Sequence, residues 1–199
     1  CYAMNCLMKK ALVILVLIFT LFGCEQGPLI EDYKIEGIGL GDSLVDFMSL
    51  EKIKKGIIVS KDLYYFRVND FAQINLDEGL KTYERLTFFI KPNDSKYIIY
   101  SIFGNLYFTN IDLCYERQDK ISEEFSNRYK DAEKSNGTKK TSEGMIVNSR
   151  GEGELRYVYF DFISGDRIAI QCYKYEGGSN DLYISLTKKE IITWLSIWK

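Results

Sequence analysis

Apolar side chains recur along this chain in three ways. Residues 11–22 form one nearly continuous apolar run, residues 111–129 repeat at the three- and four-residue steps of a helix face, and much of the remainder reads as short strands. Residues 64–68, 72–76, 83–90 and 97–103 are rich in aromatic and β-branched types, and Pro92-Asn93-Asp94 supplies a turn between the last two. Residues 155–163 and 167–175 form a second strand pair around Ser164-Gly165-Asp166, with Ile168, Ile170 and Cys172 alternating onto one face. A last strand spans residues 182–186.

Helix signals fall between these runs. Ser43 with Asp46 reads as a capping-box variant opening a helix, Ser49 as the cap of a turn over residues 50–55, and Gly56 as its stop. Thr109 or Asn110 caps the long helix, whose Ile111, Cys114, Ile121, Phe125 and Tyr129 share one face, with Gln118 a polar intruder. Glu116 with Lys120 and Glu124 with Arg128 lie at i,i+4 on its wet side. Thr187 with Glu190 forms a regular capping box for a C-terminal helix carrying Ile191, Trp194, Leu195 and Trp198. Residues 131–154 are polar, hold Lys139-Lys140 and read as a long solvated loop, with a short strand at 145–147. The expected fold is α+β: an antiparallel sheet with helices packed on one face, built as a helix followed by strands twice over.

Composition narrows the function classes. A chain of 199 residues with 46% hydrophobic and 27% charged residues folds as a globular domain. Its formal charge of −2, which becomes −4 once Lys9 and Lys10 are set aside with the apolar run, argues against nucleic acid as a partner. No histidine is present, which removes the usual general base and the commonest metal ligand. No calcium loop or Cys-x-x-Cys pair appears, Asn75 to Glu78 having only a faint flavour of the former, so neither a metal nor a cofactor is expected.

Leu21-Phe22-Gly23-Cys24 ends the apolar run behind Lys9 and Lys10, and resembles the lipobox of bacterial lipoprotein precursors. Leu21, Gly23 and Cys24 match the family pattern, and Phe22 is bulkier than its usual occupant. The resemblance implies a signal peptide over residues 1–23, with 1–7 read as upstream readthrough, cleavage before Cys24 and an acyl (palmitate-type) anchor on that thiol. Residues 24–36 then read as a lipid-proximal tether and 37–199 as one α+β domain. Glu25, in place of the aspartate associated with inner-membrane retention, leans the address to the periplasmic side of the outer membrane. In an exported protein Cys114 and Cys172, both on buried faces, are expected to form a disulfide pinning helix to sheet.

Gly41-Asp42-Ser43-Leu44 resembles the nucleophile block of GDSL-type esterases, and Gly178-Ser179-Asn180-Asp181 resembles that family's oxyanion block. The family's base is a histidine, which this chain lacks, so Ser43 has no activating partner and no catalytic residue is assigned. Tyr64, Tyr65, Tyr157, Tyr159, Tyr173 and Tyr175 lie on expected strands, where they suit either half-buried packing or stacking on a ligand. Element order and the Gly-x-Gly-Asp-Ser entry resemble the SmpA/OmlA and β-lactamase-inhibitor-like modules, which implies binding and not catalysis. The sequence therefore points to a lipid-anchored envelope protein with a non-catalytic binding or accessory role toward an envelope partner. Its alternatives are a periplasmic small-ligand or glycan binder and, remotely, an esterase.

Overall fold

In the computed structural model, which describes residues 29–63, 70–140, 153–176 and 180–196, seven strands make one antiparallel sheet. The chain runs through α1 (Leu50–Leu63), β1 (Ala72–Leu76), β2 (Arg85–Ile90), β3 (Ile99–Phe108), α2 (Ile111–Arg128) and β4 (Glu133–Lys140). It continues through β5 (Gly153–Asp161), β6 (Arg167–Tyr175), β7 (Asn180–Thr187) and α3 (Lys189–Ser196). Strands lie in the order β1-β2-β3-β7-β6-β5-β4. The class is α+β, and a helix followed by an antiparallel meander does occur twice. The last strands of the two meanders join them, Ser101 pairing with Thr187 at one end and Phe108 with Asn180 at the other.

Because strand side chains alternate, the sheet has two unlike faces. Leu86, Phe88, Ile102, Ile170, Cys172 and Ile184 point to an inner face, where Ile53 of α1 and Cys114, Ile121 and Phe125 of α2 complete one buried core. Each such Leu, Ile or Phe side chain contributes roughly 1.5–3 kcal/mol on burial. The bond between Cys114 and Cys172, with Cα atoms 6.1 Å apart, ties α2 to β6 within it. Gln118, the intruder on the apolar stripe, is fully buried and donates through Nε2 to the carbonyls of Arg156 (3.0 Å) and Ile170 (2.8 Å). While α1 and α2 share the inner face, α3 lies on the other, where Ile191 and Trp194 meet Phe71 and Phe89 in a separate cluster. That placement follows from Phe89 and Phe103 pointing away from the main core.

Several local expectations are corrected. Gly56 does not stop α1, which runs to Leu63; a Cβ there would lie 2.8 Å from Ile74 Cδ1, so the glycine permits close approach of helix to strand. Ser43 caps only a single 3-10 turn, without a side-chain bond, and its hydroxyl donates to the Lys96 carbonyl instead. Ser49 does accept from Lys52 N at 3.3 Å, as a cap should. Within the expected loop 131–154, residues 133–140 form β4, a polar edge strand exposed along nearly its whole length; edge position removes the apolar alternation that would mark it. Lys139 and Lys140 belong to this strand. Thr187 is the last residue of β7, its hydroxyl bonded to that of Ser101, and the Asp166 carboxylate receives Lys189 N at 2.9 Å where the Thr187–Glu190 box was expected. Residues 29–36 are not free tether: Ile30 and Ile35 are buried, and Tyr33 packs edge-on against Phe125. Leu21 to Cys24, the strands expected at 64–68 and 145–147, and Trp198 lie outside the described residues.

Candidate functional site

The outer face divides in two. Over β2 and β3 it is covered by α3, while over β5, β6 and β7 it is tiled by tyrosines. Strand register explains the tiling: Tyr157 is opposite Gln171, which is opposite Tyr183, while Leu155 is opposite Tyr173, which is opposite Asp181. Tyrosines two apart on one strand therefore share this face and touch. Tyr157 and Tyr159 stack with centroids 4.6 Å apart, Tyr173 and Tyr175 stack at 5.8 Å, and Tyr173 meets Tyr183 edge-on at 5.3 Å.

Polar groups hold these rings in place. Gln171 Nε2 donates to the Tyr159 hydroxyl at 3.2 Å, and the Tyr183 hydroxyl donates to Asp181 Oδ2 at 3.3 Å. The Arg167 guanidinium lies 4.5 Å from the Tyr159 ring centre while its Nε donates to Asp161 at 2.6 Å. Beside Tyr183 across β3 sits Asn105, buried, its Nδ2 without a hydrogen-bond partner among the described residues. Burial pushes the Tyr159 and Tyr173 hydroxyls above the usual phenol range, so both stay protonated donors at neutral pH. The surface is thus aromatic and rich in fixed hydrogen-bonding groups, the buried Asp181 carboxylate among them. It suits a partner's apolar surface or a sugar ring.

Of the tyrosines singled out in the sequence, Tyr157, Tyr159, Tyr173 and Tyr175 come together here, and Tyr64 and Tyr65 lie outside the described residues. Sequence reasoning missed Tyr183 and Asn105. Tyr183 alternates with Asp181 and Ser185 on β7, a signal visible once that strand is placed.

The other candidate chemistry stays dispersed. Ser43 bridges Ile98 just before β3, whereas Asn180 pairs with Phe108 at its far end. Nine residue steps from Ile99 to Phe108 at about 3.4 Å each put the two esterase-like blocks roughly 30 Å apart. Asn75 accepts from Gln73 and Thr87, Asp77 pairs with Arg85 and Glu78 with Lys52, and no acidic cluster able to hold a metal occurs among the described residues. A shallow cleft of about 600 Å³ opens beside α3, where Phe71 and Trp194 form an apolar wall and Asp70, Asp94 and Glu190 supply charge. Lys91 already occupies its aromatic corner, 4.6 Å from the Tyr100 ring centre. No described helix is long and apolar enough to cross a membrane.

The architecture defines the protein as an α+β domain whose two meanders share a central strand pair, with one face packed and the other partly tiled by tyrosine. No family model, curated protein or solved structure matches the chain.

Proposed function

We propose that this is a lipid-anchored envelope protein that works by binding, presenting its tyrosine-tiled sheet face to an envelope partner. The observation that carries the binding reading is the continuous set of half-buried rings at Tyr157, Tyr159, Tyr173 and Tyr183, held by Gln171, Arg167 and Asp181. Rigid aromatics with a polar tip give contact area at low entropic cost, which is why they dominate binding hot spots. The Cys114–Cys172 bond supports the address, because such bonds persist in oxidising compartments outside the cytosol. Anchoring rests on Leu21, Gly23 and Cys24, and its sign would be an acylated Cys24 in protein extracted from membranes.

A photo-crosslinking residue at position 157 in intact cells tests the binding reading. A discrete adduct, lost when Tyr159 and Tyr183 are changed to Ser, is the expected outcome. Equal, diffuse labelling from position 157 and from Glu123, exposed on α2, would remove the reading. A small-ligand or glycan binder would instead give no protein adduct and would retain saccharides in a Tyr159-dependent way.

A further inference from the structure

We propose that the end of the sheet where Leu29 enters the fold is a bilayer-contacting surface, with Val45, Phe47 and Ile163 as its apolar tips. The inference rests on the lipid-anchor reading of Cys24. Ile163, on the turn between β5 and β6, is 108% exposed, and Leu29, Val45 and Phe47 are 53%, 43% and 39% exposed. One exposed apolar side chain is ordinary, but several gathered at one end of a domain mark an interaction surface.

Hydrogen bonding places all four at one end. The pairs Asp161–Arg167 and Arg167–Thr187 continue to Ser101, so the turn holding Ile163 projects beyond the same edge from which β3 starts. Leu44 N donates to Tyr97 O at 3.1 Å just before β3, which sets Val45 and Phe47 beside that edge. Glu31 binds Lys188 directly after β7, which brings Leu29 there too. With neighbouring strands about 4.8 Å apart, the three steps from β3 to β5 spread these tips over roughly 14 Å. Leu50 and Ile58 are also exposed on α1, as are Tyr107 at the far end of β3 and Leu113 at the start of α2.

The occupant is a lipid surface because of the length of chain that joins it. Five residue steps separate Cys24 from Leu29, so even fully extended they reach only about 18 Å. The opposite end of β3 lies roughly 30 Å away by strand rise and cannot be the end held to the membrane. Three acidic groups at the near end are matched within the protein, Asp42 by Lys34 at 3.0 Å, Asp161 by Arg167 at 2.6 Å and Glu31 by Lys188, while Asp46, between Val45 and Phe47, is exposed. The apolar tips supply contact with the acyl boundary, as interfacial side chains do. In this pose the strands stand on end and the tyrosine face looks sideways, clear of the lipid.

The test uses full-length protein extracted from membranes and reconstituted in phosphatidylcholine vesicles, with an environment-sensitive fluorescent amino acid at position 45, 163 or 109. Thr109 is exposed at the far end of β3. Labels at 45 and 163 should shift to the blue and be quenched several-fold more strongly by doxyl-labelled lipid than the label at 109, with intact mass showing acylated Cys24. Acylated protein with equal quenching at all three positions overturns the surface and leaves the anchor standing. A blue shift without lipid quenching means that protein covers the tips, and also overturns it. Unacylated protein removes the anchor and this surface together.

Discussion

The same strands present two environments, and the difference between them is instructive. On the inner face of β6, Ile168, Ile170 and Cys172 meet α2 in a closed core with a covalent tie. On its outer face, Arg167, Gln171 and Tyr173 meet other sheet residues, with rings held by hydrogen bonds and stacking. The first face is closed by a helix and a covalent tie; the second is ordered by ring stacking and side-chain hydrogen bonds. Changes on the inner face should therefore cost stability, and comparable changes on the outer face should cost recognition.

The largest effect is expected from the inner-face tie. The bond between Cys114 and Cys172 closes a separation of 58 residues. On the chain-entropy account this is worth about 4 kcal/mol. The paired change Cys114→Ala with Cys172→Ala should lower the urea midpoint accordingly, and reductant should reproduce that loss in the unaltered protein. An unchanged midpoint in both would mean that the core holds α2 to β6 unaided.

A matched pair of glycines sharpens the comparison. Gly104 lies beneath the Tyr83 ring on the inner face and Gly137 beneath Tyr157 on the outer face; an added Cβ would come to 2.6 Å from each tyrosine. Tyr83 is packed against the main core and would meet the Cβ with its ring carbons, whereas the half-buried Tyr157 would meet it with its hydroxyl end, which can shift while the ring keeps its stack. Gly104→Ala should therefore cost about 1–3 kcal/mol by overpacking. Gly137→Ala should stay within about 0.5 kcal/mol, as ordinary surface changes do. Equal costs in denaturant titrations would erase the proposed difference between the faces.

This contrast also explains what could be read from residue order. Inner-face elements were legible because burial imposes a period: the spacing of Cys114, Ile121 and Phe125 gave α2, and β1 and β6 came out at their observed bounds. The Cys114–Cys172 pairing followed from two buried stripes. Where burial imposes no period, the signal disappears. β4 has the polar sequence of a loop because both its sides meet water, and Asn136-Gly137 imitates a turn. Gly56 and Thr187 misled for another reason, since their roles are set by Ile74 and Ser101, remote in sequence. Four of the six tyrosines singled out share the candidate surface, but their convergence depends on register, which a single strand does not reveal.

The attachment of α3 allows a smaller test on the outer face. Asp166 Oδ1 accepts from Lys189 N at 2.9 Å and so caps this helix from the β5–β6 turn, while its other oxygen is 3.9 Å from Lys188. Asp166→Ala should cost about 1 kcal/mol, the usual value of an N-cap. Asp166→Asn should restore most of it, since asparagine caps equally well, and a failure of that rescue would assign the effect to the Lys188 charge.

The smallest effect separates the faces by pH. Glu36, in the segment that folds onto the inner core, accepts from the backbone N–H groups of Thr82, Lys81 and Tyr83, at 2.5, 3.1 and 3.2 Å. Burial raises its pKa, but the bonds to Thr82, Lys81 and Tyr83 together outweigh that and hold the carboxyl below the usual glutamate value of 4.5. A folded-state pKa lowered in this way contributes stability that is fully present above the unfolded value and is lost as pH falls through the folded one. Glu36→Gln should therefore be less stable than the unaltered protein at pH 7, by an amount that shrinks toward zero in acid below the glutamate range. No such pH-dependent gap is expected for Gln171→Leu on the outer face, where the group replaced does not titrate. Urea midpoints at neutral and acid pH measure both, and a Glu36→Gln difference that persists undiminished in acid would show that the bonds to 81–83 do not depend on the carboxylate charge.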